Sequence, residues 1–245
     1  MLLDAPTLAL LAAVAVIAAV VGGIGGFGTG IILTAALAPL IGVKSVIPVL
    51  AVAGAIINGG RFWFYRASLE RRTLVLVLGC ALPFLVLGTW IYSVLDARAV
   101  GTVLGIIVIL SVPLRRALSR RKIALGRAGL GVGSGVFGLA SGLTSGVGVI
   151  LVSLLLGTGL SGQAVLATDA LVSIALDLCK ATMFQRFALL DNETIATGIV
   201  IGVATIPGSA IAAWLVNRMH AHLHVVFLEA LIIIGGASLL WNSWR

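Results

Sequence analysis

The sequence predicts an all-α polytopic membrane protein made of two homologous four-block halves. Three observations predict it. The chain of 245 residues is 60% hydrophobic and only 10% charged, where a soluble domain carries about 25% charged residues; its mean hydropathy is +1.22. Apolar runs of about 20 residues recur, enough to cross a hydrocarbon layer about 30 Å thick. A glycine ladder also occurs twice: Gly22, Gly26 and Gly30, then Gly138, Gly142 and Gly146, 116 positions further on. The alternating strands of about ten residues that a β-barrel needs are absent.

Eight apolar blocks follow one another. The first half holds 7–43, 45–65, 73–95 and 99–114; the second holds 128–160, 163–184, 194–216 and 225–244. The halves are therefore 1–119 and 128–245, joined by a basic linker over 120–127. The first block of each half is too long for one ordinary span: about 37 helical residues would reach roughly 55 Å. Glycines split it near the middle, which leaves a helical hairpin, a re-entrant pair or one broken helix. Irregular backbone survives at membrane depth only where protein or water covers it. Pro39, Pro48, Pro83, Pro113 and Pro207 lie within or near the ends of blocks, where neighbouring helices satisfy the backbone groups they free.

Parity decides the symmetry. If the long block returns to its starting side, the halves are inverted; if it crosses once, they are parallel. Arginine placement favours inversion by a thin margin, and inverted repeats are a common basis of alternating access.

The net charge is +8 and the pI about 10.8. Arg115, Arg116, Arg120, Arg121, Lys122 and Arg127 gather between two blocks, and no acidic residue lies between Asp96 and Asp169. That is a cytoplasmic loop under the positive-inside rule. No aromatic platform accompanies the charges, so nucleic acid is not expected as a partner. Cys80 and Cys179 read as packing residues. The segment before the first block has no basic n-region, so that block reads as a first membrane segment and not a cleaved signal peptide. Trp63, Tyr65, Trp90, Tyr92, Trp214, Trp241 and Trp244 near block ends suit an aromatic belt. His220, His222 and His224 read as headgroup-level residues of a short loop, and no metal site is expected.

Gly23–Gly28 and Gly133–Gly138 match GxGxxG, but the strand, helix and acidic residue of a dinucleotide site are missing. The small-xxx-small ladder permits close helix packing with no ligand. The duplication points further: a break places half-helix N-termini at membrane depth, where free N–H groups attract anions. Gly26, Gly28, Gly30, Gly142 and Gly146 would supply that backbone, and Thr29, Ser141, Thr144 and Ser145 hydroxyl donors.

The second block of each half carries the other signal. Asp169, Ser173, Asp177 and Lys180 share one helix face,. Shifting by 119 positions sets Gly54, Asn58 and Arg61 opposite Ser173, Asp177 and Lys180. Intramembrane ionisable residues commonly mark a pathway. Against that, Asp177 and Lys180 pair as i, i+3 neighbours, and Arg61 and Lys180 near block ends can snorkel to headgroups. Asp169 has no local partner in the sequence; Asp169 and Asp177 are the proton-coupling candidates.

Gly22-Gly23-Ile24-Gly25-Gly26-Phe27-Gly28-Thr29-Gly30, followed by Pro39-Leu40-Ile41-Gly42, resembles the glycine signature of the TauE/SafE family of sulfite-exporter-like permeases. The second copy, Gly138 to Gly146 followed by Leu156-Gly157, is similar, with leucine where the first has Pro39. The resemblance implies transport of a small sulfur-containing anion, sulfite or a short organosulfonate, across the bacterial inner membrane.

The residues themselves agree with an anion. Asn58 and the backbone and hydroxyl donors would bind it, and Arg61 and Lys180 would draw it in. Expected partners are that anion and membrane lipid, with a homodimer left open and no cofactor. A channel, a carrier of another small oxyanion or carboxylate, and an assembly subunit are the alternatives. No His-x-x-x-His or serine–histidine pair lies at membrane depth, so an enzyme is not expected.

Overall fold

The structure is a computed structural model that describes residues 5–24, 29–120, 126–160, 162–216, 233, 237, 240 and 241. Apolar segments without exposed polar partners fold as helices because a helix satisfies its own backbone. Among the described residues the secondary structure is helical, with no strand. The first half contains α1 (Ala5–Ile24), α2 (Thr29–Ile41), α3 (Val43–Tyr65), a 3-10 turn (Arg66–Ser68), α4 (Arg71–Val94) and α5 (Ala97–Arg120). The second contains α6 (Arg127–Leu143), α7 (Gly148–Gly157), α8 (Gln163–Arg186) and α9 (Asn192–Val216).

The long first block holds two described helices in each half. In the first, α1 and α2 flank residues 25–28; in the second, α6 stops at Leu143 and α7 starts at Gly148. Each long block is thus a full helix followed by a short one, α2 of 13 residues and α7 of 10. Gly42, with φ +83°, is the one residue between α2 and α3; an L side chain there would be strained. Five prolines lie inside helices, at Pro39, Pro48, Pro83, Pro113 and Pro207.

Among the described residues, three helices are long and apolar enough to cross a membrane: Val43–Trp63, Arg71–Val94 and Asn192–Ile211. α8 has the length, at 24 residues, but Asp169, Asp177 and Lys180 dilute its apolar character. α5 continues through Arg115, Arg116 and Arg120. The basic cluster therefore begins on a helix, not in a loop as its charge suggests.

Packing is reciprocal between the halves. α1 lies along α9, α6 along α4, and α3 along α8. Two apolar cores result. One gathers Leu11, Leu33, Leu37, Ile47 and Leu50 of α1–α3 with Ile201 of α9. The other gathers Phe137, Leu151, Leu155 and Leu176 of α6–α8 with Val77, Ala81 and Leu85 of α4. The packed units cut across the sequence halves: the first core also takes in Tyr92 of α4, Val100 and Leu104 of α5 and Phe184 of α8, while the second joins α6–α8 to α4.

The glycine ladder of α6 explains the tightest of these contacts. A Cβ on Gly138 would strike the Ala81 carbonyl, and one on Gly142 would lie 2.5 Å from the Leu85 carbonyl oxygen and 2.7 Å from the Thr89 nitrogen. Backbone meets backbone, as small-xxx-small faces allow. Tyr92 departs from the aromatic belt. It is 1% exposed, donates from its hydroxyl to the Val43 and Lys44 carbonyls at 3.1 Å each, and stands edge-on to Phe184 at 5.3 Å. Burial of its ring needs that hydroxyl satisfied, and the start of α3 supplies the acceptors. Trp63, Trp90 and Trp241 are exposed, as belt residues are. His220, His222, His224 and Trp244 lie outside the described residues.

Candidate functional site

The second break is built from Thr144 to Val147. Thr144 leaves α6 in an extended conformation, φ −150° and ψ −178°, and its N–H still reaches the Ala140 carbonyl at 3.0 Å. Gly146 turns the chain with φ +83°. No side chain caps α7 at Val147. The Thr144 side chain is fully buried and donates to the Ser145 carbonyl at 3.4 Å.

The second break meets the start of α2. A Cβ on Gly30 would lie 2.8 Å from Ser145 Oγ and 2.9 Å from the Gly146 nitrogen. A Cβ on Gly146 would lie 2.5 Å from the Ile31 nitrogen and 3.1 Å from the Gly30 carbonyl carbon. Gly30 and Gly146 are corresponding rungs of the duplicated ladder, so each copy touches the other at the same rung. Thr29 opens α2 beside this contact. Gly26 and Gly28 lie outside the described residues.

A polar network ties α3 to α8. Arg61 pairs with Asp169 at 3.1 Å between Nη2 and Oδ2. Its other terminal nitrogen donates to Asn58 Oδ1 at 3.2 Å. Asn58 Nδ2 makes a long contact of 3.5 Å to Asp177 Oδ2, and Lys180 Nζ lies 2.9 Å from Asp177 Oδ1. The chain of contacts is Asp169–Arg61–Asn58–Asp177–Lys180. Asp169, Asp177 and Lys180 are buried, Asn58 is half-buried, and the Arg61 side chain is 37% exposed. Two cations face two carboxylates, so the network is neutral when all four ionise.

These contacts fix the relative direction of the helices. Along α3 and its following turn, Gly54 meets Asp177, Arg61 meets Asp169 and Ser68 meets Gln163. As one number rises the other falls, so α3 and α8 run antiparallel. α4 and α6 run parallel: Gly131 approaches Cys80, and Gly142 approaches Leu85 and Thr89.

Several expectations change against this geometry. Asp169, without a partner in its own segment, finds Arg61 across the interface. Lys180 does not snorkel; it is 2% exposed and paired with Asp177. Neither cation is a free attractor, because each already holds a carboxylate. Gly142 lies in the α4–α6 seam, apart from the Gly30–Gly146 contact, and Ser141 precedes it in the same helix. Gly54 is the residue sequence reasoning undervalued: a Cβ there would collide with the Asp177 carboxylate. Its signal was present, a glycine four positions before Asn58 on the same helix face.

Two buried polar atoms have no hydrogen-bond partner among the described residues, Ser134 Oγ and Asp169 Oδ1. Such atoms cost free energy unless a water, an ion or a ligand satisfies them. No group of three or more metal-ligating side chains occurs among the described residues.

No curated protein and no solved structure matches the chain. The family model of the sulfite exporter TauE/SafE matches residues 11–239, nearly the whole length, with both breaks and the α3–α8 network inside the match. With its apolar helices, its duplicated glycine ladder and that match, the chain belongs to the TauE/SafE sulfite exporter family, a family of membrane-embedded transporters.

Proposed function

We propose that this protein is a multi-pass secondary transporter of the bacterial inner membrane that moves a small sulfur-containing oxyanion, sulfite or a short organosulfonate, by alternating access between inverted repeats. Family membership supplies the transporter class. The observation that carries the rest is the contact between the start of α2 and the second break, where Gly30 abuts Ser145 and Gly146. Two short helices, α2 and α7, start at that contact, and the N-termini of helices favour negative charge. Thr29, Thr144 and Ser145 add hydroxyls beside them.

The antiparallel run of α3 and α8 supports inversion. These helices hold equivalent places in the two halves, and equivalent helices of opposite direction are what an inverted repeat requires. The reciprocal pairing of α1 with α9 and of α6 with α4 supports two bodies, one around each pair, that would rock against each other. Arg61, the partly exposed member of the network, is the cation an entering anion would meet.

The test is counterflow in proteoliposomes holding the purified chain. Saturable exchange of labelled sulfite or a short alkanesulfonate against unlabelled anion is expected. Flux that neither saturates nor exchanges would replace the carrier with a channel, and no flux of either anion would overturn the reading. Arg61→Ala is expected to raise the apparent KM; an unchanged KM would remove Arg61 from the pathway.

A further inference from the structure

The α3–α8 network has no charge to spare for a substrate. Arg61 and Lys180 are matched one to one by Asp169 and Asp177 at 3.1 and 2.9 Å. An anion arriving at Arg61 would leave a net negative charge in a poorly solvated interface, which is costly. Either the anion does not bind there or one carboxylate gives up its charge as it binds.

The two carboxylates are not equivalent in this respect. Asp177 uses both oxygens, Oδ1 on Lys180 and Oδ2 on Asn58, and its cation is buried beside it on the same helix. Asp169 uses only Oδ2, on Arg61, and its Oδ1 is buried without a partner. Asp169 is 3% exposed. The charged groups acting on it are Arg61 from α3 and Asp177 from its own helix. Among the described residues, α4, α6, α7 and the 66–68 turn, which also pack against α8, bring it no further charge.

We infer that Asp169 and the transported anion exchange places on Arg61: a proton taken up by the Asp169 carboxylate releases the guanidinium to the anion, so that one proton and one monovalent anion cross together. This rests on the transporter reading above and adds its coupling. The bookkeeping closes. A proton from water on one side forms an O–H bond on Asp169, the Arg61–Asp169 ion pair gives way to an Arg61–anion pair, and the network returns to neutrality. On the other side the anion leaves, the proton returns to water and the ion pair re-forms. Arg61 is suited to the exchange because it alone of the four charged groups is partly exposed. Its second contact, to Asn58, holds it in place meanwhile.

The probe is methanesulfonate, whose charge does not change across the working pH range, so any pH effect belongs to the carrier. Proteoliposomes are made more alkaline inside than outside, with the membrane potential clamped. One-to-one cotransport predicts inward accumulation of about tenfold per pH unit of gradient, the ratio that one unit of proton free energy supports. Because the loaded carrier moves no net charge, an imposed potential should leave the accumulation unchanged. Wild-type counterflow without accumulation would overturn the coupling while leaving the transporter reading intact. Absence of counterflow for both methanesulfonate and sulfite would instead sink that reading. Asp169→Asn is expected to abolish pH-driven accumulation; accumulation at the wild-type ratio would remove Asp169 from the role. If the asparagine variant does not fold, Asp169→Glu decides: it should accumulate methanesulfonate with a displaced pH midpoint, and an undisplaced midpoint would refute the assignment.

Discussion

Removing Lys180 while leaving Asp177 tests the α3–α8 interface most severely. Lys180 is 2% exposed and its ammonium lies 2.9 Å from Asp177. At an effective dielectric of about 20, unit charges at that separation attract by about 6 kcal/mol. Desolvation of both groups offsets part of this, and removing one partner of a buried pair costs about 3–5 kcal/mol. After Lys180→Met, Asp177 would keep only the long Asn58 contact. A chain of this size loses about 2–4 °C of Tm per kcal/mol, so a fall of about 6–20 °C is expected. The assay is thermal unfolding in detergent, followed by tryptophan fluorescence. Lys180→Met with Asp177→Asn removes both charges and should recover most of the loss, since a neutral replacement of a buried pair is often tolerated. A Tm within about 1 °C of wild type for Lys180→Met would refute the reasoning. So would a double variant no more stable than the single one.

Gly138→Ala and Gly142→Ala force a methyl into α4 backbone and should each cost about 1–3 kcal/mol by overpacking; Gly59→Ala and Gly60→Ala, with open space around them, should gain up to about 1 kcal/mol of helix propensity, and thermal unfolding ranks the four. Tyr92→Phe keeps the ring on Phe184 but loses both hydrogen bonds to the start of α3, for about 0.5–1.5 kcal/mol in the same measurement. Asp191 accepts from the Thr194 backbone and hydroxyl at 2.8 and 2.7 Å, and those bonds, the hydroxyl's first, hold its carboxyl below the usual carboxylate range. A depressed carboxylate stabilises the fold above its unfolded pKa and loses that effect as the pH falls through the folded one. The Tm gap between wild type and Asp191→Ala should therefore be open at neutral pH and close in acid.

The helical class and the broken first block were legible because both rest on local properties, apolar content and glycine spacing. The network was half legible. Its members could be placed on one face of α8 and at matching positions of α3, since helical periodicity is a property of one segment. That Arg61 reaches Asp169 was not legible: the partner depends on α3 and α8 running antiparallel, which no window of the sequence encodes. The glycine ladder misled in part for the same reason. Its spacing announced close approach without saying what approaches, and the structure gives Gly138 and Gly142 to α4 while Gly146 meets the start of α2. Tyr92 was read from its place near a block end, where the acceptors that bury it, on Val43 and Lys44, were invisible.

Asn58 touches Asp177, and the two are 119 positions apart, the same offset that sets the second block of one half on that of the other. A position that contacts its own duplicate is a mirror for every substitution made there. Had both copies kept aspartate, two carboxylates would face each other; had both kept asparagine, Lys180 would have lost its counter-ion. One of each lets an amide donate where a carboxylate accepts. Divergence at this one point gives the α3–α8 interface one carboxylate to hold Lys180 and one amide to reach it.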